Sequence, residues 1–483
     1  MLRKMWLLTL VVVMVFVVAG CGAGNKEEPA ASPSGSASSP SSSGEGGDGL
    51  FSTSEQQAAA WNSFAGELQD KWKGKTLNIV SVSDPWIDSM SALVGQFEKL
   101  TGAKINISTF GYDAAYSKEI LTGSEKSAAE DLFVYDVPWI GAMSDMLLPL
   151  DDYLSKTPEL VDYDDFFDVM RKATTWNGEV KGLPFAPYFI MYTYNKSYFD
   201  KVGIAAPPAN FDEFFEAAKL LTKNEALPNV FGASMNNQSG TAVGQAFFEY
   251  IYNFGGKPFA SVYPGSSDYY ADMTPQFASE QSLAVVKLFK DMLAYEPDGA
   301  LNMSWNDRAS TFASGRTAMM SPWVTDIAPL SDPEKSAVSE QYATAPLPTA
   351  EGVDAHTPVG GYSLGINRYS ANADLAWDFL VWFTSPQIAY QFADTGGFPN
   401  RYSVLKDETL TGKYAYYPTL QQVVDTAFPA FRPQIPEAFK IIDTLGTYIG
   451  EYLAGAMELE PAMAKANAEI GNLLKQAGYT VNS

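Results

Sequence analysis

From Thr76 onward the apolar positions switch regularly between two periods. Thr76–Val82 reads as a strand, and Ile87, Met90, Val94, Phe97 and Leu100 then recur at the spacing of one helix face. Lys104–Phe110 alternates as a second strand and Tyr116–Leu121 opens another helix. Asp131–Tyr135 is a short apolar run of the kind buried in a parallel sheet. Strands alternating with helices predict an α/β lobe whose strand ends are open to a ligand. Just beyond those ends stand Asp84 and Trp86, then Tyr112, then Asp136 and Trp139. Any one of them is ordinary for a loop; their recurrence at successive strand ends is the first candidate site.

The stretch Leu183–Phe199 changes the pattern. Pro184 and Pro187 lack backbone N–H groups and are expected to keep out of a central strand ladder, while Tyr188–Tyr194 reads as a strand. Strand–helix repeats precede this stretch and mostly helices follow it. That suits a hinge under a ligand cleft and equally an edge strand of one large domain. Beyond it, Asn210 is a candidate N-cap, with Glu213 placed for a capping box, ahead of a helix from Phe211. Helical patterns cover Ala242–Phe254 and Leu283–Leu293, and Asn306 or Asp307 is a candidate cap for the helix holding Phe312. The strand-like Thr317–Met320 and Trp323 follow. Pro346, Pro348 and Pro358 mark a second crossing that leads to the strand Tyr362–Ile366. Asp374–Phe383 is helical, Ser385-Pro386 looks like an N-cap with proline at the first helical position, and Glu437–Met457 and Pro461–Ala477 are long amphipathic helices.

At 483 residues the chain exceeds what one hydrophobic core usually serves, so two lobes are expected. Met1–Gly20 has a basic start at Arg3 and Lys4, an apolar run and small residues at its end, the outline of a signal peptide. The apolar run is short for a membrane-spanning helix. Val18–Cys21 resembles the lipobox of bacterial lipoproteins, in which the cysteine is acylated. Gly22–Gly49, rich in Ser, Gly, Pro and Ala, reads as a disordered tether with a reach on the order of 30 Å. Ser54–Trp72 carries Trp61, Phe64, Leu68 and Trp72 at helical spacing.

Cys21 is the single cysteine, which excludes an internal disulfide, cysteine catalysis and cysteine-based metal sites. The net charge of −24 becomes about −26 once Arg3 and Lys4 are removed, and this opposes nucleic-acid binding. Acidic clusters at Asp151–Asp152 and Asp162–Asp168 lack the spacing of a calcium loop. Gly361-Tyr362-Ser363-Leu364-Gly365 matches the nucleophile elbow of α/β-hydrolases, but the one histidine, His356, precedes it, whereas that fold places its histidine after the serine. No catalytic residue, cofactor or metal is expected. The excess lies in aromatics, with 10 Trp, 26 Tyr and 29 Phe. Most belong to the core, yet Trp86, Trp139 and Trp305 stand beside Asp84, Asp136 and Asp307. Aromatic faces bury the C–H faces of sugars while polar side chains bond the hydroxyls, the pairing that carbohydrate recognition requires.

Five stretches carry a resemblance: Val18–Cys21, YTYNKSYFDKVGI at Tyr192–Ile204, FDEFFEAAKLLT at Phe211–Thr222, FASGRTAMMSPW at Phe312–Trp323 and AWDFLVWFTSP at Ala376–Pro386. From about Thr76 to Tyr479 the chain resembles family 1 of the extracellular solute-binding proteins, the sugar-binding lipoproteins of ABC importers that include maltose-binding proteins. The resemblance implies a periplasmic-binding-protein-like fold of type II, two α/β lobes joined by crossing hinge strands that close on the ligand. It divides the chain into leader 1–20, tether 21–49, N-terminal helix 50–75, first lobe 76–187, second lobe 188–347, second crossing with return to the first lobe 348–383, and second-lobe helices 384–483. It places Tyr188 in the hinge, Trp323 over one sugar face, and Phe398 and Arg401 as late contacts from the second lobe. The carboxylate that the family pattern often offers near Tyr188 is missing. Gln238, Tyr362 and Asp307 complete the expected ligand set. The implied protein is a monomer, lipid-anchored at the outer face of the cell membrane through Cys21, that hands a sugar, oligosaccharide or sugar alcohol to permease subunits. The competing expectation is a lipid-anchored glycoside hydrolase that uses paired carboxylates.

Overall fold

The computed structural model describes residues 55–264, 266 and 268–482. The expected leader, Cys21 and tether lie outside the described residues. The strands are β1 (Thr76–Val82), β2 (Lys104–Phe110), β3 (Leu132–Asp136), β4 (Thr175–Trp176), β5 (Glu179–Val180), β6 (Leu183–Phe189), β7 (Tyr192–Asn195), β8 (Phe231–Ser234), β9 (Thr317–Met320), β10 (Tyr342–Ala345), β11 (Thr357–Ile366) and β12 (Ala427–Phe428). Two sheets dominate, one per lobe. The first runs β12-β11-β3-β1-β2, with β6 also paired to β11, and the second runs β10-β7-β9-β8. β1 is parallel to β2 and β3, whereas β11 runs antiparallel to β3 and β6. Every residue of β3 and β11 is buried, as their nearly unbroken apolar sequences require.

The chain crosses between sheets along strands. β6 belongs to the first sheet and β7 to the second, with Ile190 and Met191 between them. The strand pattern therefore begins at Leu183, ahead of the expected Tyr188. β6 pairs only with β11, so Pro184 and Pro187 leave no second ladder short of donors. A second crossing links β10 to β11. In β11, Gly361 has φ +95, and a Cβ there would collide with the Ala186 carbonyl and the Tyr188 N–H of β6. Only glycine lets the two crossing strands approach this closely beneath the cleft.

Local signals explain the helix starts. Asn210 Oδ1 accepts from Glu213 N at 2.9 Å, and Ser385 Oγ accepts from Ile388 N at 3.3 Å. The helix Trp305–Ala313 is capped by Ser304 rather than by Asn306 or Asp307. Helix Thr241–Ile251, buried along almost its whole length, lies against helix Ala438–Leu453. Gly244 and Gly446 allow that contact, since a Cβ on either would strike the other helix or its lead-in.

Residues 385–401 pack on the first sheet's side. Ser89 Oγ donates to Thr395 O at 2.7 Å, and Phe185 of β6 meets Phe392 at 5.2 Å between ring centroids. The expected grouping put everything from 384 with the second lobe. Ser385-Pro386 restarts a helix directly after Ala373–Phe383 and leaves no length for a crossing there.

Candidate functional site

The carboxyl ends of the first sheet's parallel strands open into a cavity of about 280 Å³. Its first wall comes from Val82–Pro85 after β1, Gly111 and Tyr112 after β2, and Asp136 at the end of β3. Its floor is the hinge, with Tyr188 of β6 and Gly361 and Tyr362 of β11. The opposite wall belongs to the second lobe: Gln245 from helix Thr241–Ile251, Trp305 and Asn306 from the next cleft-facing helix, and Trp323, Thr325 and Asp326 after β9. Arg432, four residues beyond β12, reaches in from the side. A larger hollow of about 530 Å³ adjoins this cavity and shares Gly111, Tyr112 and Trp305 with it; Gln238–Ala242, Asp113, Ala114 and Asp443 complete its lining.

Of the thirteen residues expected to meet ligand, eight line these hollows: Asp84, Tyr112, Asp136, Tyr188, Trp305, Trp323 and Tyr362, with Gln238 in the outer one. The other five lie elsewhere, each for a visible reason. Trp86 is fully buried behind the floor and donates its indole N–H to the Tyr188 hydroxyl. Trp139 stands behind Tyr112, donating to its hydroxyl at 3.2 Å. Phe398 buttresses Tyr188 edge-on at 5.4 Å. Asp307 accepts from Ser304 N and Oγ at 3.1 Å and serves its helix start. Arg401 is fully buried, donating to Thr384 O (2.7 Å), Asp162 O (3.0 Å) and Val161 O (2.7 Å), with its guanidinium 3.9 Å from the Phe166 ring centre. It ties 385–401 to the first lobe and, with no exposed surface, presents no donor to a ligand.

A buried polar chain joins the two walls. Tyr112 donates to Asp136 Oδ2 at 2.6 Å, and Arg432 grips the same carboxylate with both terminal nitrogens at 3.1 Å. Arg432 Nη1 also donates to Gln245 Oε1 at 3.0 Å, and Gln245 Nε2 donates to Glu249 at 3.3 Å. Behind the second wall Arg308 serves Ser321 O at 2.8 Å and Asp326 at 3.4 Å, with Glu249 at 4.0 Å. Nearer the hinge, Thr325 Oγ1 of the second lobe donates to Asp84 Oδ1 of the first at 3.0 Å. Asp84 keeps some surface on the cavity side, yet protein crowds it enough that burial pushes its carboxyl up to about 7, against the hydroxyls of Tyr188 and Thr325 and with help from Asp326. Burial likewise raises Asp326 to about 6, opposed by Arg308.

Such a cavity, with aromatic faces beside hydrogen-bonding groups and walls from two lobes, suits a small polar organic ligand. The sequence model described as "bacterial extracellular solute-binding protein" matches residues 83–390. The chain belongs to this family. Its place is therefore extracytoplasmic. This solute-binding protein is 23% identical over 444 residues to a probable amino-acid ABC transporter periplasmic-binding protein of Sinorhizobium fredii, covering 90% of this chain and 96% of that one. It is 24% identical to the erythritol/L-threitol-binding protein of Mycolicibacterium smegmatis, over 75% of this chain and 79% of that one. Among solved structures, an ABC transporter solute-binding protein of Agrobacterium radiobacter K84 in complex with ribitol superposes with a TM-score of 0.76 at 27% identity, covering 82% of this chain and 98% of that one.

Several lining residues escaped the sequence reading of this solute-binding protein: Gln245, Asn306, Thr325, Asp326 and Arg432. For Gln245 a signal existed, since Gln245 and Glu249 lie one turn apart in an otherwise apolar helix, where polar side chains need partners. Arg432 sits in irregular chain that no periodicity marks.

Proposed function

We propose that the chain captures a sugar or sugar alcohol between its lobes and delivers it to the membrane permease of an ABC importer without chemical turnover. The observation that carries this reading is the inner cavity. Trp323, Tyr188 and Tyr362 supply apolar faces for C–H groups, and Asp84, Asp136, Gln245 and Arg432 stand beside them as partners for hydroxyls. Its volume of about 280 Å³ lies at the small end for ligand sites, which favours one sugar ring or one alditol in the inner cavity. The ribitol and the erythritol/L-threitol in the names of two relatives point the same way. The amino-acid designation of the Sinorhizobium relative fits less well, because a ligand carboxylate needs a free cation and both terminal nitrogens of Arg432 are already held by Asp136. We further propose that the mature chain is a monomer tethered outside the cell by acylation of Cys21.

A thermal-shift screen over sugars and sugar alcohols tests the ligand class. A compound present at a hundred times its dissociation constant adds about 2.7 kcal/mol of stability, well within detection. No shift with any of them overturns the reading. Asp84 and Asp326, the two cavity carboxyl groups that Arg432 does not grip, give glycoside hydrolysis a second hearing. Recovery of cleavage products after incubation with oligosaccharides would replace capture with catalysis. An intact mass showing unmodified Cys21 would remove the anchor.

A further inference from the structure

The charges around the ligand cavity do not balance. Three carboxyl groups line it, Asp84, Asp136 and Asp326, against one cation, Arg432. Asp136 holds both terminal nitrogens of Arg432, and Gln245 shares one of them. Asp326 has part of Arg308, which also serves Ser321 O and lies near Glu249. Asp84 has no cationic partner among the described residues. The Thr325 hydroxyl donates to it, and the hydroxyls of Tyr188 and Tyr362 also stand beside it, all of them neutral. The outer hollow adds Asp113 and Asp443 with no Lys, Arg or His in its lining, although Lys440 stands 3.8 Å from Asp443 outside it.

We propose that the inner cavity prefers a ligand carrying a protonated amine on a polyhydroxylated frame, an amino sugar or amino alditol, over the neutral compound of the same shape. This rests on the carbohydrate reading above and narrows it. Burial leaves the Asp84 carboxyl about half protonated at neutral pH. An ammonium beside it favours the ionised form and supplies the counter-charge that the protein withholds, and charge-assisted hydrogen bonds are about twice as strong as neutral ones. The rings of Trp323 and Tyr362 both meet Tyr188 at this spot, at 6.3 Å and 5.5 Å between centroids, and aromatic faces attract a cation and disfavour an anion. The acidic outer hollow concentrates cations at the entrance. A ligand acid would face carboxylates, with the terminal nitrogens of Arg432 already paired to Asp136. The site thus excludes anionic sugars by the same charges that favour the amine.

Calorimetric titration of the intact mature chain at neutral pH, with matched pairs, tests this. The pairs are glucose and glucosamine, galactose and galactosamine, and sorbitol and glucamine, with N-acetylglucosamine as the amine with its charge removed. The expected result is that at least one amine binds about tenfold tighter than its neutral partner, a difference of about 1.4 kcal/mol, and that acetylation abolishes the gain. In Asp84→Asn the ratio should fall toward one. If every neutral compound that binds does so as tightly as its amine, the amine preference is overturned and sugar capture stands. An amine preference that survives Asp84→Asn overturns the role given to Asp84. Failure of all these compounds and of the wider sugar panel overturns both readings.

Discussion

Arg432 and Asp136 stand only about 4–5% exposed, and their two parallel contacts at 3.1 Å form a pair in which each charge depends on the other. Removing one partner strands a buried charge, which typically costs about 3–5 kcal/mol, whereas replacing both by apolar groups costs far less. Urea unfolding of Arg432→Met, Asp136→Leu and the double variant should therefore show two large single losses and a double loss well below their sum. Strictly additive losses would mean that the pair is not coupled. Part of this was legible from the sequence. Asp136 stood out because it ends a short apolar strand pattern, and Trp323 because it follows one. Arg432 did not, since its neighbours Phe431 and Pro433 share no period with the elements around them. Asp84 also fills a gap that the sequence left open. No acidic residue stands next to Tyr188 along the chain, but folding brings Asp84 to that ring from the end of another strand.

At the scale of elements, the segment after β8 shows how a buried acid shapes a cleft wall. Met235 N and Asn237 Nδ2 both donate to Glu296, at 2.9–3.0 Å, and so hold the segment that leads to Gln238 in the outer hollow. Asn237 Oδ1 is buried and has no donor among the described residues. Burial raises the Glu296 carboxyl from its ordinary 4.5 to about 7, against the bonds from Asn237 and Met235. The folded chain then holds this proton more tightly than the unfolded chain does. The resulting stability is complete below pH 4.5 and is lost as the pH rises through about 7. Glutamine retains an acceptor for Met235 N and offers an amide donor. Glu296→Gln should accordingly melt at a temperature that falls less than the wild type's across this window, with Asp84 and Asp326 leaving a residual slope in the same direction. Parallel melting curves against pH would contradict this role for Glu296. The elements themselves were largely legible, because capping side chains and apolar periodicity act locally, as at Asn210 and Ser385. The exceptions were decided by tertiary contacts. β6 takes two prolines because one of its edges is unpaired, and Ser304 took the cap expected of Asn306 or Asp307.

At the scale of the molecule, two sheets joined by β6–β7 and β10–β11 form a cleft whose walls touch through Arg432 to Gln245 and Thr325 to Asp84. Aromatic rings also face each other across the cleft, Trp323 toward Tyr188 at 6.3 Å and Tyr116 on Phe439 at 5.8 Å between centroids. X-ray scattering should show a smaller radius of gyration when a saturating ligand is added, and an unchanged profile would contradict a hinged trap. The two-lobe plan was legible in the change of period near Leu183. The attachment of 385–401 to the first lobe was not, because it depends on Arg401 and Phe392 finding distant partners. The central claim is that the ligand sits between these walls, and calorimetric titration tests it most directly. The best compound from the thermal-shift screen is titrated into the wild type, Asp84→Ala from the first wall and Trp305→Ala from the second. Saturable heat in the wild type, with each variant weaker by about 1–3 kcal/mol, is the predicted result. Affinity unchanged in both variants would place the ligand elsewhere and contradict the account.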